Sequence, residues 1–85
     1  MVVRVGFVGA NSLEWIASAI GALKLGAVAV PFNNRFTPTE FRHQLTDAEP
    51  VAVVADEASR DRMAEAVGDD PIRLLPMESF AAQRD

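Results

Sequence analysis

Eighty-five residues, 49% hydrophobic and 24% charged, make one small domain with a single core and marginal stability, which excludes a disordered chain. The formal net charge is -4, with four acids and four bases in residues 1–50 and eight acids and four bases in residues 51–85, so no basic cluster exists to replace counterions on a nucleic acid. With no cysteine and one histidine, a disulfide framework is excluded and a zinc site built from protein ligands alone is disfavoured.

Val2 to Val8, VVRVGFV, is β-branched and apolar on both faces except at Arg4, and is expected to form a strand buried between two helical layers. Gly9-Ala10-Asn11-Ser12 turns the chain, with Asn11 or Ser12 as helix cap. If Asn11 caps, Glu14 stands in the first turn, where it favours the positive end of the helix dipole. The helix expected over Leu13 to Leu25 is apolar almost all round. Leu13, Ile16, Ala17, Ile20 and Leu23 form one stripe and Trp15, Ala19 and Ala22 another, leaving Glu14, Ser18 and Gly21 as a narrow polar line. A helix with so little polar surface requires cover on several sides, more than three neighbouring strands supply.

Gly26 ends that helix, and Ala27 to Phe32 is a second apolar strand, completing a right-handed βαβ unit. Thr37-Pro38-Thr39-Glu40 is a helix start, with threonine as cap, proline at the first helical position and glutamate three residues after the cap. The second helix is expected over Pro38 to Thr46, with Phe41 and Leu45 on one face and Arg42, His43 and Gln44 mainly on the other. Val51 to Ala55 reads as a third strand, and Glu57 to Val67 as a third helix capped by Asp56 and stopped by Gly68. After a loop at Asp69-Asp70-Pro71, Ile72 to Leu75 is a fourth strand, and residues 77–85 are a short helical turn or frayed tail. The expected fold class is therefore α/β: a partial doubly wound parallel sheet of about four strands in the order 2-1-3-4, with three to four helices and an unpaired last edge. Residues 1–85 are expected to form a single partial domain.

Lys24 and Arg35 interrupt the most hydrophobic stretch before it reaches the roughly 18 residues of a spanning helix. The amino-terminal apolar run is short, contains Arg4 and lacks a clear cleavage site, so the default location is cytoplasmic.

Few residues carry chemistry. Gly6, Gly9 and Asn11 sit where a dinucleotide fingerprint would, but their spacing is G-x-x-G, and a tight strand-to-helix turn explains them better. Asn33, Asn34 and Arg35 follow the carboxyl end of the second strand, where open α/β sheets bind ligands, and also suit an ordinary polar loop. His43 reads as an exposed helix residue. Arg60 and Arg62 pair at three-residue spacing with Glu57 and Glu65, as a solvated charged face. Trp15, Phe41 and Met63 read as packing. There is no Walker loop, HExxH helix, GxSxG elbow or pair of catalytic carboxylates.

Taken together, NSLEWIASAIGALKLGAVAVPFNNRFTPTEFRHQLTDAEPVAVVAD resembles the early part of the large domain of the AMP-binding, adenylate-forming enzymes, the superfamily of acyl-CoA synthetases and luciferases. GALKLGAVAVP followed by TPTEF is more similar to medium- and long-chain acyl-CoA synthetases of fatty acid metabolism than to peptide synthetase modules. The resemblance implies a ligase that uses ATP and magnesium to make an acyl-adenylate, then transfers the acyl group to the thiol of CoA. It also implies that the phosphate loop ending in PKG, the ribose-binding acid and the lysine-bearing C-terminal domain lie beyond Asp85. On this basis the chain is expected to be an N-terminal fragment, inactive alone, binding no cofactor itself and partnered by the remainder of the ligase or a second copy. By position in the family, Phe32, Asn33 and Asn34 and the base Arg60 are expected to line the surface that receives the nucleotide end of CoA. No catalytic or metal-binding residue is expected. The alternative is a non-catalytic interaction or oligomerisation module that uses its apolar face and edge strand, and a weaker one is a small nucleotide-binding domain using the turn at Gly9 to Ser12.

Overall fold

Short apolar runs supply the strands, and polar caps or glycines stop the elements between them. The computed structural model describes residues 3–9, 20–21 and 23–78. Within these, β1 is Arg4–Val8, β2 is Val28–Phe32, α1 is Pro38–Ala48, β3 is Ala52–Ala55, α2 is Glu57–Val67 and β4 is Arg73–Pro76. All four strands are parallel and lie in the order β2-β1-β3-β4, the arrangement that alternating strands and helices favour.

Two complete helices occur among the described residues, where three to four are expected. Most of the helix expected over 13–25, with its Trp15, Ala19 and Ala22 stripe and its Asn11 or Ser12 cap, lies outside those residues. Ile20, Gly21, Leu23 and Lys24 are helical. The expected tail at 77–85 lies outside them beyond Glu78.

Helix α1 starts as TPTE demands. The Thr37 hydroxyl accepts the Glu40 N–H at 3.3 Å and the Glu40 carboxylate accepts the Thr37 N–H at 2.9 Å, a reciprocal capping box. The helix continues to Ala48, past the expected end at Thr46, and stops at Glu49 with φ 49°. A left-handed glutamate costs about 1 kcal/mol or more, and its N–H is satisfied by Leu45 O at 2.9 Å. Helix α2 has the expected bounds: Asp56 Oδ1 accepts the Ser59 N–H at 3.0 Å, and Gly68 ends it at φ 56°.

Both helices pack on one face of the sheet. Val8, Phe32, Val53 and Ala55 meet Phe41, Leu45, Met63, Ala66 and Val67 in the larger core, so the packing roles expected for Phe41 and Met63 hold. On the opposite face Phe7, Val54 and Met77 are buried with Val5, Ala27, Ala29 and Leu75 against them. Val3, Ile20, Leu23, Leu25, Val28 and Val51 remain exposed, Leu25 at 86%. Among the described residues no helix is long and apolar enough to cross a membrane.

The sheet edges have a common feature. Val28 N–H bonds to Val3 O, Arg73 N–H to Val51 O and Met77 N–H to Ala55 O. Backbone groups alternate sides along a strand, so those of Ala29 and Pro31 face outward from β2, and those of Leu74 and Pro76 outward from β4. Each edge therefore carries a proline where its missing N–H would have pointed outward, which leaves the internal ladder whole and removes a donor from the edge.

Candidate functional site

Ligands of open parallel sheets bind outside the carboxyl ends of the strands. Here that rim is built from Gly9 after β1, Asn33 to Phe36 after β2, Asp56 after β3 and Met77 to Glu78 after β4.

The loop after β2 is held by its own backbone and by α2. Asn33 Oδ1 accepts the Arg35 N–H at 2.9 Å, and Asn33 O accepts the Phe36 N–H at 3.1 Å, closing an asparagine-led turn. Arg62 Nη1 donates to Phe36 O at 2.8 Å, and its guanidinium carbon lies 5.7 Å from the centre of the Phe41 ring. Arg62 thus fastens the loop to the helix layer. Its partner is far away in the chain, so nothing in the local spacing announces it.

Arg60 stands at the other side of the rim. Its Nη2 donates to Ala55 O at 3.3 Å and to Glu78 Oε1 at 2.7 Å, while its buried Nε has no hydrogen-bond partner. The Glu78 carboxylate is held below the usual glutamate range first by its own backbone N–H and further by Arg60, with burial and Asp56 opposing. The expected charged face, Arg60 with Glu57 and Arg62 with Glu65, is therefore corrected. Both guanidinium groups reach off the helix to carbonyls at strand and loop ends, where a cation satisfies acceptors that a helix neighbour does not need.

Between Arg60 and the loop, Asp56 donates its N–H to Val8 O at 3.1 Å. Its side chain lies so close to Gly9 that a Cβ there would stand 3.0 Å from the carboxyl group. A carboxylate against this turn is the wrong charge for a phosphate cradle, and Asn11 and Ser12 fall outside the described residues.

Of the expected site residues, Phe32 has its ring buried at 5% exposure against Phe41, with centroids 6.4 Å apart, so only its backbone meets the rim. Asn33 is exposed and Asn34 half-buried. Arg60 lies on the same rim, but β1 separates β2 from β3, which by strand spacing puts their ends about 10 Å apart. His43 is exposed. Two grooves open beside α1, one along Pro38, Thr39, Arg42, His43, Glu65 and Ala66 and one along Arg42, Leu45, Thr46, Glu49, Pro50, Asp70 and Ile72. Neither is lined by Asn33, Asn34 or Arg60, and Arg42, between them, is engaged by Asp70 at 2.6 Å and Ala66 O at 3.2 Å. Among the described residues no three His, Asp or Glu side chains form a metal-ligand cluster.

The family model of AMP-binding enzymes matches residues 2–82. The medium/long-chain-fatty-acid–CoA/3-oxocholest-4-en-26-oate–CoA ligase of Mycobacterium tuberculosis is 31% identical over 83 residues, which are 96% of this chain and 15% of that protein. Among solved structures, ATP-bound MatB from Rhodopseudomonas palustris matches 98% of this chain and 18% of its own, with a TM-score of 0.82 and 25% identity. A Mycobacterium tuberculosis fatty acyl CoA synthetase matches 95% of this chain and 17% of its own, with a TM-score of 0.81 and 28% identity. The chain thus spans about 15% of the length of the curated relative.

Proposed function

Since the chain belongs to the AMP-binding, adenylate-forming enzymes, we propose that it is the opening part of the large domain of an AMP-forming acid–thiol ligase, which joins a carboxylate to CoA at the expense of ATP. The observation that carries this is the match over residues 2–82, together with the shared fold. A fatty acid is the preferred carboxylate, on the names of the relatives. The chain by itself is inactive in this proposal, because among the described residues its rim offers Arg60 and backbone groups but no set of donors that could offset a triphosphate.

Phe32, Asn33, Asn34 and Arg60 would border the surface that receives the nucleotide end of CoA. Arg60 supports this best: a cation on the strand-end rim, with its side chain 31% exposed. Phe32 would contribute through its backbone alone.

The test is a chimera in which residues 3–78 replace the matched segment of a fatty-acid–CoA ligase, alongside the isolated chain. Acyl-CoA formation by the chimera, and no pyrophosphate exchange by the isolated chain, is the expected pair of results. A folded chimera without activity, or exchange by the chain alone, overturns the proposal.

A docking module is the second reading, favoured by the exposed Leu23, Leu25, Val28 and Val51. It would use this apolar surface and not the edges, since Pro31 and Pro76 remove outward donors from both outer strands.

A further inference from the structure

Resting on the assignment of Arg60 to a phosphate-receiving surface, we propose that Glu78 is a built-in competitor for that surface. Its carboxylate occupies the position on Arg60 that a phosphate group of the incoming nucleotide takes, so the Arg60–Glu78 pair and the bound ligand exclude one another.

Three observations lead there. First, the cation is anchored to the sheet independently of its partner. Ala55 O accepts both the Met77 N–H at 3.0 Å and Arg60 Nη2 at 3.3 Å, which ties the guanidinium to the carboxyl end of β3 and to the last rung of the β3–β4 ladder. Glu78 lies just past that rung, with its side chain 51% exposed, and it can leave Arg60 without breaking a strand bond. Second, carboxylate and phosphate oxygens satisfy a guanidinium in the same way, through short charge-assisted bonds. The 2.7 Å contact therefore fills a place that suits either. Third, Asp56 lies near enough to Glu78 to disfavour its charge. An anion arriving at Arg60 therefore meets the attraction of the guanidinium and the repulsion of Glu78 until Glu78 moves away.

A partly exposed pair of this kind is weak. Removing the competing charge should therefore strengthen phosphate binding about two- to fivefold rather than by orders of magnitude.

The experiment titrates adenosine 3′,5′-bisphosphate, the charged nucleotide portion of CoA, into the 85-residue chain at low salt. It follows arginine side-chain NMR signals in the unsubstituted protein, Glu78→Gln, Arg60→Gln and the double variant, with thermal melts confirming that each is folded. The expected result is tighter binding by Glu78→Gln, about two- to fivefold, weakened binding by Arg60→Gln, and no gain from Glu78→Gln once Arg60 is gone. If Arg60→Gln weakens binding but Glu78→Gln does not strengthen it, the surface stands and the competition is overturned. If Arg60→Gln changes nothing, or no variant binds, the Arg60 surface itself falls and the competition with it.

Discussion

The guanidinium of Arg62 donates to the carbonyl of Phe36 at 2.8 Å while lying over the ring of Phe41, so one side chain of α2 fixes both the loop after β2 and the helix that follows it. The loop is short and partly closed by Asn33, and this tether positions its far end. Arg62→Ala would leave Phe36 O without its cationic donor and remove the cation–π contact. The expected loss is about 1–2 kcal/mol, the lower part of the range for charged hydrogen bonds because the site is only part-buried. Urea unfolding should show a lower midpoint with unchanged slope, and amide exchange should accelerate at residues 33–36. Arg62→Lys should recover part of the stability. A midpoint unaffected by Arg62→Ala would mean that the loop holds itself.

The capping box makes α1 sensitive to acid. The Glu40 carboxylate is held below the ordinary glutamate range, first by the backbone N–H of Thr37 and then by its hydroxyl. A carboxylate whose pKa is lower folded than unfolded contributes stability above the unfolded value and loses it as pH falls through the folded one. Stability should therefore decline between the ordinary glutamate pKa and the lower folded value, and Glu40→Gln should flatten that limb. Thr37→Ala should cost about 1 kcal/mol near neutral pH through the lost cap and also weaken the acid limb. Thermal melts across the acid range read both effects; an acid limb of the same depth in Glu40→Gln would assign it to other carboxylates.

At Gly6 the β1 backbone comes close to the core. A Cβ there would stand 3.1 Å from the Phe32 ring and 3.3 Å from Val53 Cγ2. The ring is buried and packs with Phe41 at 6.4 Å between centroids, so it has little freedom to yield. Gly6→Ala is expected to cost about 1–3 kcal/mol by overpacking, and Phe32→Leu in the same chain should restore part of it. For a domain of this size each kcal/mol is worth about 4–8 °C in Tm, so calorimetry resolves the pair. A neutral Gly6→Ala would show that the Phe32 ring moves freely, and with it the backbone proposed to border the rim.

How far the sequence reveals this molecule depends on whether the determining contacts are local. The capping box at Thr37 and Glu40, the Asp56 cap and the Gly68 stop involve residues three or four apart or one strained backbone position, and all are legible in the chain. The parallel sheet follows from short strands alternating with helices, and its order β2-β1-β3-β4 is the one expected. Glu49 is different: Asp47-Ala48-Glu49-Pro50 reads as the close of α1, and the helix does stop there, but that the stop is a left-handed glutamate is not legible in a residue so unsuited to that backbone. Arg60 and Arg62 look like a surface pattern with Glu57 and Glu65. Their real partners, Glu78 and Phe36 O, stand 18 and 26 residues away and are brought near only by the sheet. The family resemblance points to Phe32 at the rim, and the two-residue alternation of β2 turns its ring into the core.

The edge prolines guard both outer strands against pairing. Pro31 and Pro76 stand on opposite outer strands, each with its backbone facing away from the sheet, and Gln44 Nε2 covers the outward carbonyl of Pro31 at 3.4 Å. An exposed strand edge with free donors and acceptors recruits further strands. Proline removes the donor, and Gln44 occupies one acceptor, so β2 is protected twice and β4 once. Pro31→Val supplies an outward N–H and a residue that favours extended backbone, and Pro76→Val does the same on β4. The chain already exposes apolar residues such as Leu25, so the comparison that matters is the increment over the unsubstituted protein. Sedimentation velocity over rising concentration should show added self-association for each variant and most for the double variant. Gln44→Ala added to Pro31→Val should raise it further, whereas Gln44→Ala alone should do little because Pro31 still lacks its donor. If the double proline variant sediments like the parent at every concentration, the edges are already too short or too twisted to pair, and any association belongs to the apolar surface.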